Sequence, residues 1–255
     1  MPEAEIRTAR AARDRLATLG DAQIAHHSQR FFKTGPGEYA EGDRFRGIRV
    51  PVLRQVARAC AAMPLGETLR LLRSPFHEDR AVALFVLVRM YTRGDDAVKD
   101  RTARAYLANL KYVNNWDLVD CSAAPILGAH LQHRSRAKLH ALARSSNVWE
   151  RRVAMIATAQ FIRSGESSEA IRIAETLLND EHDLIHKAVG WMLREIGDRC
   201  GTQTLRMFLD RHALRMPRTM LRYSIEHLSA TERVSYLTKR SSYTAKPGSA
   251  KGRTR

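Results

Sequence analysis

The chain has three cysteines in 255 residues, and Cys60, Cys121 and Cys200 are far apart with no Cys-x-x-Cys pair among them. An odd, scattered set offers neither a disulfide framework nor a zinc site, and it fits reduced thiols carried on helices. Long apolar runs are scarce too. The longest, Ala81 to Val88, falls well short of the ~20 residues a membrane-spanning helix needs. The chain opens with Glu3, Glu5, Arg7 and Arg10 in place of the apolar core of a signal peptide, so a soluble cytoplasmic protein is expected. Acid is in deficit. Asp plus Glu number 27 against 43 Lys plus Arg, a formal net charge of +16. That excess points to a polyanionic partner, nucleic acid foremost, with an anionic membrane surface or plain solubility as the duller readings.

Several chemistries lack their residues. No Gly-x-Ser-x-Gly elbow is present, and Gly35, Gly37 and Gly42 do not make the dinucleotide-binding spacing, nor does a strand precede them. His182 and His186 are four apart, and His130 and His133 three apart, but neither pair has the H-E-x-x-H form or an evident third ligand. They are read as core or surface histidines, with no metal. Sustained period-2 alternation is missing as well, so strands are not expected.

Apolar residues at helical spacing, interrupted by Gly, Pro, Ser or Asn, fill the chain. They predict an all-α fold with helices at 3–19, 21–32, 51–62, 66–74, 77–92, 96–111, 114–131, 134–144, 148–163, 167–178, 182–199, 202–214, 217–227 and 230–238. Asp21 is expected as an N-cap, Pro51 and Pro217 in first turns, and Gly165 as a stop. Arg80, Arg152, Lys187 and Arg222 each open an apolar run, and 72, 35 and 35 residues separate them. The first interval is two steps of 36, and its missing member falls on Trp116. A period near 36 predicts a right-handed solenoid of HEAT-like antiparallel helix pairs with a concave basic groove, forming a single domain over residues 1–238. The tetratricopeptide Trp-x-x-Leu-Gly-x-x-Tyr and ankyrin Thr-Pro-Leu-His signatures are absent. Residues 33–50 read as a long functional or disordered loop, and residues 239–255, with six cations and no acid, as a disordered basic tail.

The segment Asn114-Asn115-Trp116-Asp117-Leu118-Val119-Asp120 carries the sharpest signal. On a helix the Trp116 indole and the Asp120 carboxylate lie one turn apart on one face. In the repeat frame Trp116 stands where other repeats have a cation, and Asp120 and Trp191 both fall four residues after that position. A carboxylate spoils a groove built only to hold phosphates, so it is expected to have chemistry of its own. Asp117 is assigned to helix capping, with Asn114 as the N-cap. Trp149 is read as core. Arg151 and Arg152 point about 100° apart on a helix, and the frame selects Arg152 for the groove. The expected concave face therefore displays Arg80, Trp116, Asp120, Arg152, Lys187, Trp191 and Arg222.

In Trp116-Asp117-Leu118-Val119-Asp120, Trp149-Glu150-Arg151-Arg152 and Lys187-Ala188-Val189-Gly190-Trp191-Met192-Leu193-Arg194-Glu195 the chain resembles the AlkD-like family of DNA alkylation-repair glycosylases, which are HEAT-like repeat proteins. The resemblance extends to Phe32-Lys33-Thr34-Gly35-Pro36-Gly37-Glu38-Tyr39 and Leu221-Arg222-Tyr223-Ser224-Ile225-Glu226, and covers most of residues 20–230. It implies excision of cationic N3- or N7-alkylated purines from duplex DNA without base flipping. Asp120 would be the catalytic carboxylate, Trp116 and Trp191 would flank the sugar, and Arg152 would contact DNA. Arg80, Lys187 and Arg222 would join Arg152 in binding phosphates. No cofactor or metal is implied, the partner is alkylated duplex DNA, and the protein is expected to act as a monomer at the nucleoid. Phe31-Phe32 stands where some relatives carry a Tyr. The chemistry suits the residues: a cationic purine is already a good leaving group, and an ionised carboxylate can stabilise an oxocarbenium-like sugar and position water. The competing expectation is a non-catalytic HEAT-like protein that binds bent, branched or damaged DNA.

Overall fold

The computed structural model describes residues 5–238, which are helical apart from their connections. Among them no strand forms; an isolated bridge pairs Arg44 with Phe76. The chain divides into two compact units, Met1–Arg136 and Ala137–Arg255, where the sequence reading takes residues 1–238 as one domain. The expected basic tail at 239–255 lies outside the described residues.

The first unit contains α1 (Ala9–Ala17), α2 (Ala22–Phe31), α3 (Val50–Ala59), α4 (Leu65–Leu72), α5 (His77–Arg93), α6 (Asp96–Ala108), α7 (Trp116–Ala123) and the short α8 (Ala129–Leu131). Its centre is α5, which holds the apolar run Ala81 to Val88 and packs against α3, α4, α6 and α7. Burial of Val82, Leu84, Val86 and Leu87 on one helix makes it the core around which the others assemble. The helix expected from residue 3 starts later, at Ala9, because Thr8 is extended and its side chain accepts from the Ala11 N–H. Asp21 caps α2 as expected, accepting from Gln23 and Ile24.

The helix expected over 114–131 is interrupted by a π-turn at Ala124–Gly128. Pro125 has no N–H to give, and its ring crowds the preceding turn, so the ladder shifts to a wider pitch there.

The second unit contains α9 (Ala137–Ala143), α10 (Val148–Ala157), α11 (Ala159–Arg163), α12 (Ser168–Thr176), α13 (Asp183–Arg199), α14 (Thr202–His212), α15 (Arg218–Ser224) and α16 (Ala230–Thr238). Here α13 is central and packs on α10, α11, α12, α14 and α15. The expected helix 148–163 pinches at Thr158, whose hydroxyl donates to Met155 O. Gly165 closes α11 with a positive φ of 79°. Gly190 allows the closest approach in this unit: a Cβ there would meet Tyr223 Cβ at 2.5 Å and Met220 O at 2.6 Å. Only a glycine lets α15 lie so near α13.

Candidate active site

In the first unit Trp116 is the first residue of α7 and Asp120 the fifth. Asn115 caps the helix, its side-chain oxygen accepting from the Trp116 N–H at 2.8 Å. The cap is thus Asn115, one residue later than the expected Asn114. Buried Leu118, Val119 and Ser122 fix the opposite side of α7, and Ser122 is tied to Leu118 O and to the buried Tyr106 hydroxyl. Asp120 remains half-buried, one turn beyond the indole. Two phenylalanines close on that indole. Phe32 stacks on it with ring centroids 5.3 Å apart, and Phe31, 57% exposed, meets it edge-on at 6.0 Å. An exposed apolar ring against a half-buried indole makes a surface suited to planar or sugar-like ligands.

Beneath the indole lies a buried charge cluster that sequence reasoning missed. His77, the first residue of α5, places Nε2 2.8 Å from Asp117 Oδ2 and Nδ1 3.4 Å from Asp43 Oδ2. Its ring stacks on Phe45 at 4.6 Å and lies tilted to Phe32 at 5.0 Å. Burial opposes the charged imidazole, but the Asp117 charge and the hydrogen bonds to both carboxylates outweigh it and raise the pKa to about 9. Asp43 is held below its ordinary value: burial works against ionisation, and the His77 hydrogen bond and Arg80 overcome it. Asp117 does accept from the Leu118 N–H, consistent with its assigned capping role, yet its second oxygen belongs to His77.

Arg80 requires a correction. The repeat frame turns it toward DNA, but it is 4% exposed, and its guanidinium donates to Asp43 Oδ1 at 2.6 Å and to Ser74 O. The reason lies in the loop at 33–50. His77, Glu78, Asp79 and Arg80, the first turn of α5, grip it side chain by side chain. Glu78 accepts from the Arg46, Gly47 and Ile48 N–H groups, and Asp79 takes the Arg46 guanidinium in two hydrogen bonds. Carboxylates at a helix N-terminus also suit its dipole. Gly47, with φ 81°, presses so closely on the Asp21 carbonyl that no side chain would fit.

An exposed cation that the frame passed over is Arg54. It is the fifth residue of α3, its guanidinium lies 4.5 Å from the Phe85 ring centroid on α5, and its charge is felt at Cys121 on α7. The Cys121 thiol is itself pushed far up, by burial first and then by the Asp117 and Asp120 charges, which makes it a poor nucleophile.

In the second unit α10, α13 and α15 carry Arg152, Lys187 and Arg222 at their fifth residues. Arg222 is exposed. Lys187, half-buried, pairs with Asp183 one turn earlier at 2.8 Å. Arg152 is 5% exposed and donates to Leu184 O at 2.5 Å, binding α10 to α13. Its neighbour Arg151 is held by Asp180 and by the Ser145 and Ser146 carbonyls. Trp191, half-buried one turn beyond Lys187, donates its indole N–H to Glu195 Oε1 at 3.1 Å, and Glu195 also accepts from Arg199. Trp149 is buried, as expected. His182 caps α13 by accepting the Leu184 N–H at Nδ1, and His186 meets the Asp180 carbonyl.

Counted from the helix starts, the repeat frame changes in two respects, with Arg54 in place of Arg80 and Asp120 in place of Trp116. The fifth position holds Arg54, Asp120, Arg152, Lys187 and Arg222 on α3, α7, α10, α13 and α15. Asp120, and not Trp116, therefore occupies the place of a cation. Trp116 precedes that position by one turn and Trp191 follows it by one turn.

The sequence model of the family described as DNA alkylation repair enzyme matches residues 12–228. Among solved structures the chain is similar to one titled a predicted DNA alkylation repair enzyme from Enterococcus faecalis. The TM-score is 0.63 at 16% identity, covering 83% of this chain and 97% of the other. At that identity the likeness concerns the fold. No curated protein matches the chain. No helix among the described residues is long and apolar enough to cross a membrane.

Proposed function

Because the chain belongs to the DNA alkylation repair enzyme family, we propose that it is a DNA glycosylase acting on cationic N3- and N7-alkylated purines in duplex DNA. Within each unit the helix pairs would act as HEAT-like repeats, with α3 and α7 of the first unit and α10, α13 and α15 of the second meeting the duplex. Arg54, Lys187 and Arg222 would meet phosphates. Arg152, already fixed to Leu184 O, would act as a held charge near the backbone and keep α13 in place below Trp191. Arg80 has no part in this, since its guanidinium is engaged inside the first unit.

The observation that carries the reading is the Asp120 carboxylate on α7, one turn from an indole, at the helix position that holds Arg54, Arg152, Lys187 and Arg222 on α3, α10, α13 and α15. In the proposed reaction the C1′–N bond breaks and its electron pair leaves with the purine, neutralising the alkylated ring. No strong general acid is needed for such a leaving group. The sugar becomes oxocarbenium-like, and the Asp120 carboxylate stabilises that charge. Water adds to C1′, Asp120 draws off its proton, and an abasic site remains. Trp116 and Trp191, each within its own unit, would offer a ring face to the damaged nucleotide, and the base would not swing into a pocket. The chemistry asks for no cofactor or metal, and one copy of the chain suffices.

Incubating the purified protein with duplex DNA carrying N7-methylguanine tests this. Free N7-methylguanine and alkali-labile abasic sites should accumulate together. Binding without release of base would instead favour the non-catalytic DNA-binding reading.

A further inference from the structure

We infer that His77 is a positioning residue for the catalytic helix: as an imidazolium bridging Asp43 in the 33–50 loop and Asp117 in α7, it sets the pose of Trp116 and Asp120. The inference rests on the glycosylase reading above and goes beyond it.

The geometry fits a doubly protonated ring. Both nitrogens face carboxylate oxygens, Nε2 at 2.8 Å and Nδ1 at 3.4 Å, and a neutral imidazole would turn a lone pair toward one of them. The charged groups around it are Asp117 from α7, Asp43 from the loop and Arg80 from its own helix. Two cations then balance two anions in a buried cluster. Losing the imidazolium charge would leave one carboxylate uncompensated, which is costly out of water.

Two routes run from this ring to the site. Asp117 directly follows Trp116 and sits three residues before Asp120, so its bond to His77 ties the first turn of α7 to the first turn of α5. Phe32 is packed between His77 and Trp116, with centroids 5.0 and 5.3 Å away, so the imidazolium also fixes the ring on which the indole lies. A group that moves a carboxylate by a fraction of an ångström relative to C1′ alters the reaction step far more than ground-state binding.

The experiment is a double-mutant cycle on the full chain with His77→Gln, Asp117→Asn and the pair together. It reads single-turnover release of N7-methylguanine and affinity for undamaged duplex. Each single variant should release base about tenfold more slowly, while undamaged DNA is bound within about twofold of wild type. The double variant should be no slower than the worse single one, since both break the same link. Single-turnover rates equal to wild type, even with a lowered melting temperature, would overturn the inference, as would fully additive losses. If His77→Gln does not fold, Asp117→Asn and Asp43→Asn decide it by the same rate criterion. A wild-type protein that releases no base would defeat the glycosylase reading itself, an outcome distinct from all of these.

Discussion

At the scale of single residues, the proposed reading turns on one helix position. Arg54, Lys187 and Arg222 there would attract phosphate, and Asp120, at the same position of α7, would forgo that attraction for charge stabilisation of a sugar. The indoles have a different task. Trp116→Ala and Trp191→Ala should each slow base release by less than loss of the carboxylate does, on the order of tenfold, because in the proposed reading each ring would offer a face to the nucleotide without bearing the charge. Single-turnover rates on one methylated duplex check the ranking; an indole variant slower than a charge-neutral Asp120 variant would reverse it. Arg54 carries a prediction that the repeat frame alone would not make. Arg54→Glu should weaken binding to undamaged and damaged duplex alike, whereas Arg80→Gln should act on thermal stability through Asp43.

At the scale of elements, two close approaches hold the helices that bear the site. In the second unit Gly190→Ala would drive a methyl group into Tyr223 Cβ and Met220 O, separating α15 from α13. A loss of about 1–3 kcal/mol is expected in urea unfolding, and an unchanged midpoint would contradict the packing argument. In the first unit the His77 cluster makes stability depend on pH. Its folded pKa of about 9 lies above the ordinary value of 6.5, so the stabilisation is complete below 6.5 and fades as pH rises through 9. The loss amounts to about 3 kcal/mol at most. Unfolding midpoints at pH 6.5 and 9.5 should therefore differ more for wild type than for His77→Gln, and equal differences would exclude the imidazolium.

Helix content was legible because apolar spacing along α5 and α13 reports burial directly. The break at Ala124–Gly128 and the pinch at Thr158 were not, since both depend on how one proline and one hydroxyl meet the preceding turn. The spacing of Trp116 and Asp120 by one helical turn was legible. The repeat frame misjudges their register because it counts from cations and not from helix caps, and Asn115 to Asn147 is three residues shorter than the cap-to-cap steps that follow. His77 was out of reach of any local pattern, its carboxylates lying 34 and 40 residues away in sequence.

At the scale of the whole molecule, an excess of 16 positive charges should make duplex binding strongly salt-dependent. The logarithm of affinity should fall linearly with the logarithm of salt, with a slope of about −0.9 for each phosphate contacted. Lys187→Glu combined with Arg222→Glu should flatten that slope by roughly one unit for each phosphate no longer neutralised. An unchanged slope would place the duplex on another surface. The central claim, that this charged surface serves a carboxylate which breaks glycosidic bonds, is tested most directly by comparing wild type with Asp120→Asn in single-turnover release of N7-methylguanine. The amide keeps the size and helix position of the side chain and removes its charge. Release should fall by on the order of a hundredfold or more while duplex affinity holds or rises slightly. Equal release rates from the two proteins, with the helical fold intact by circular dichroism, would contradict it.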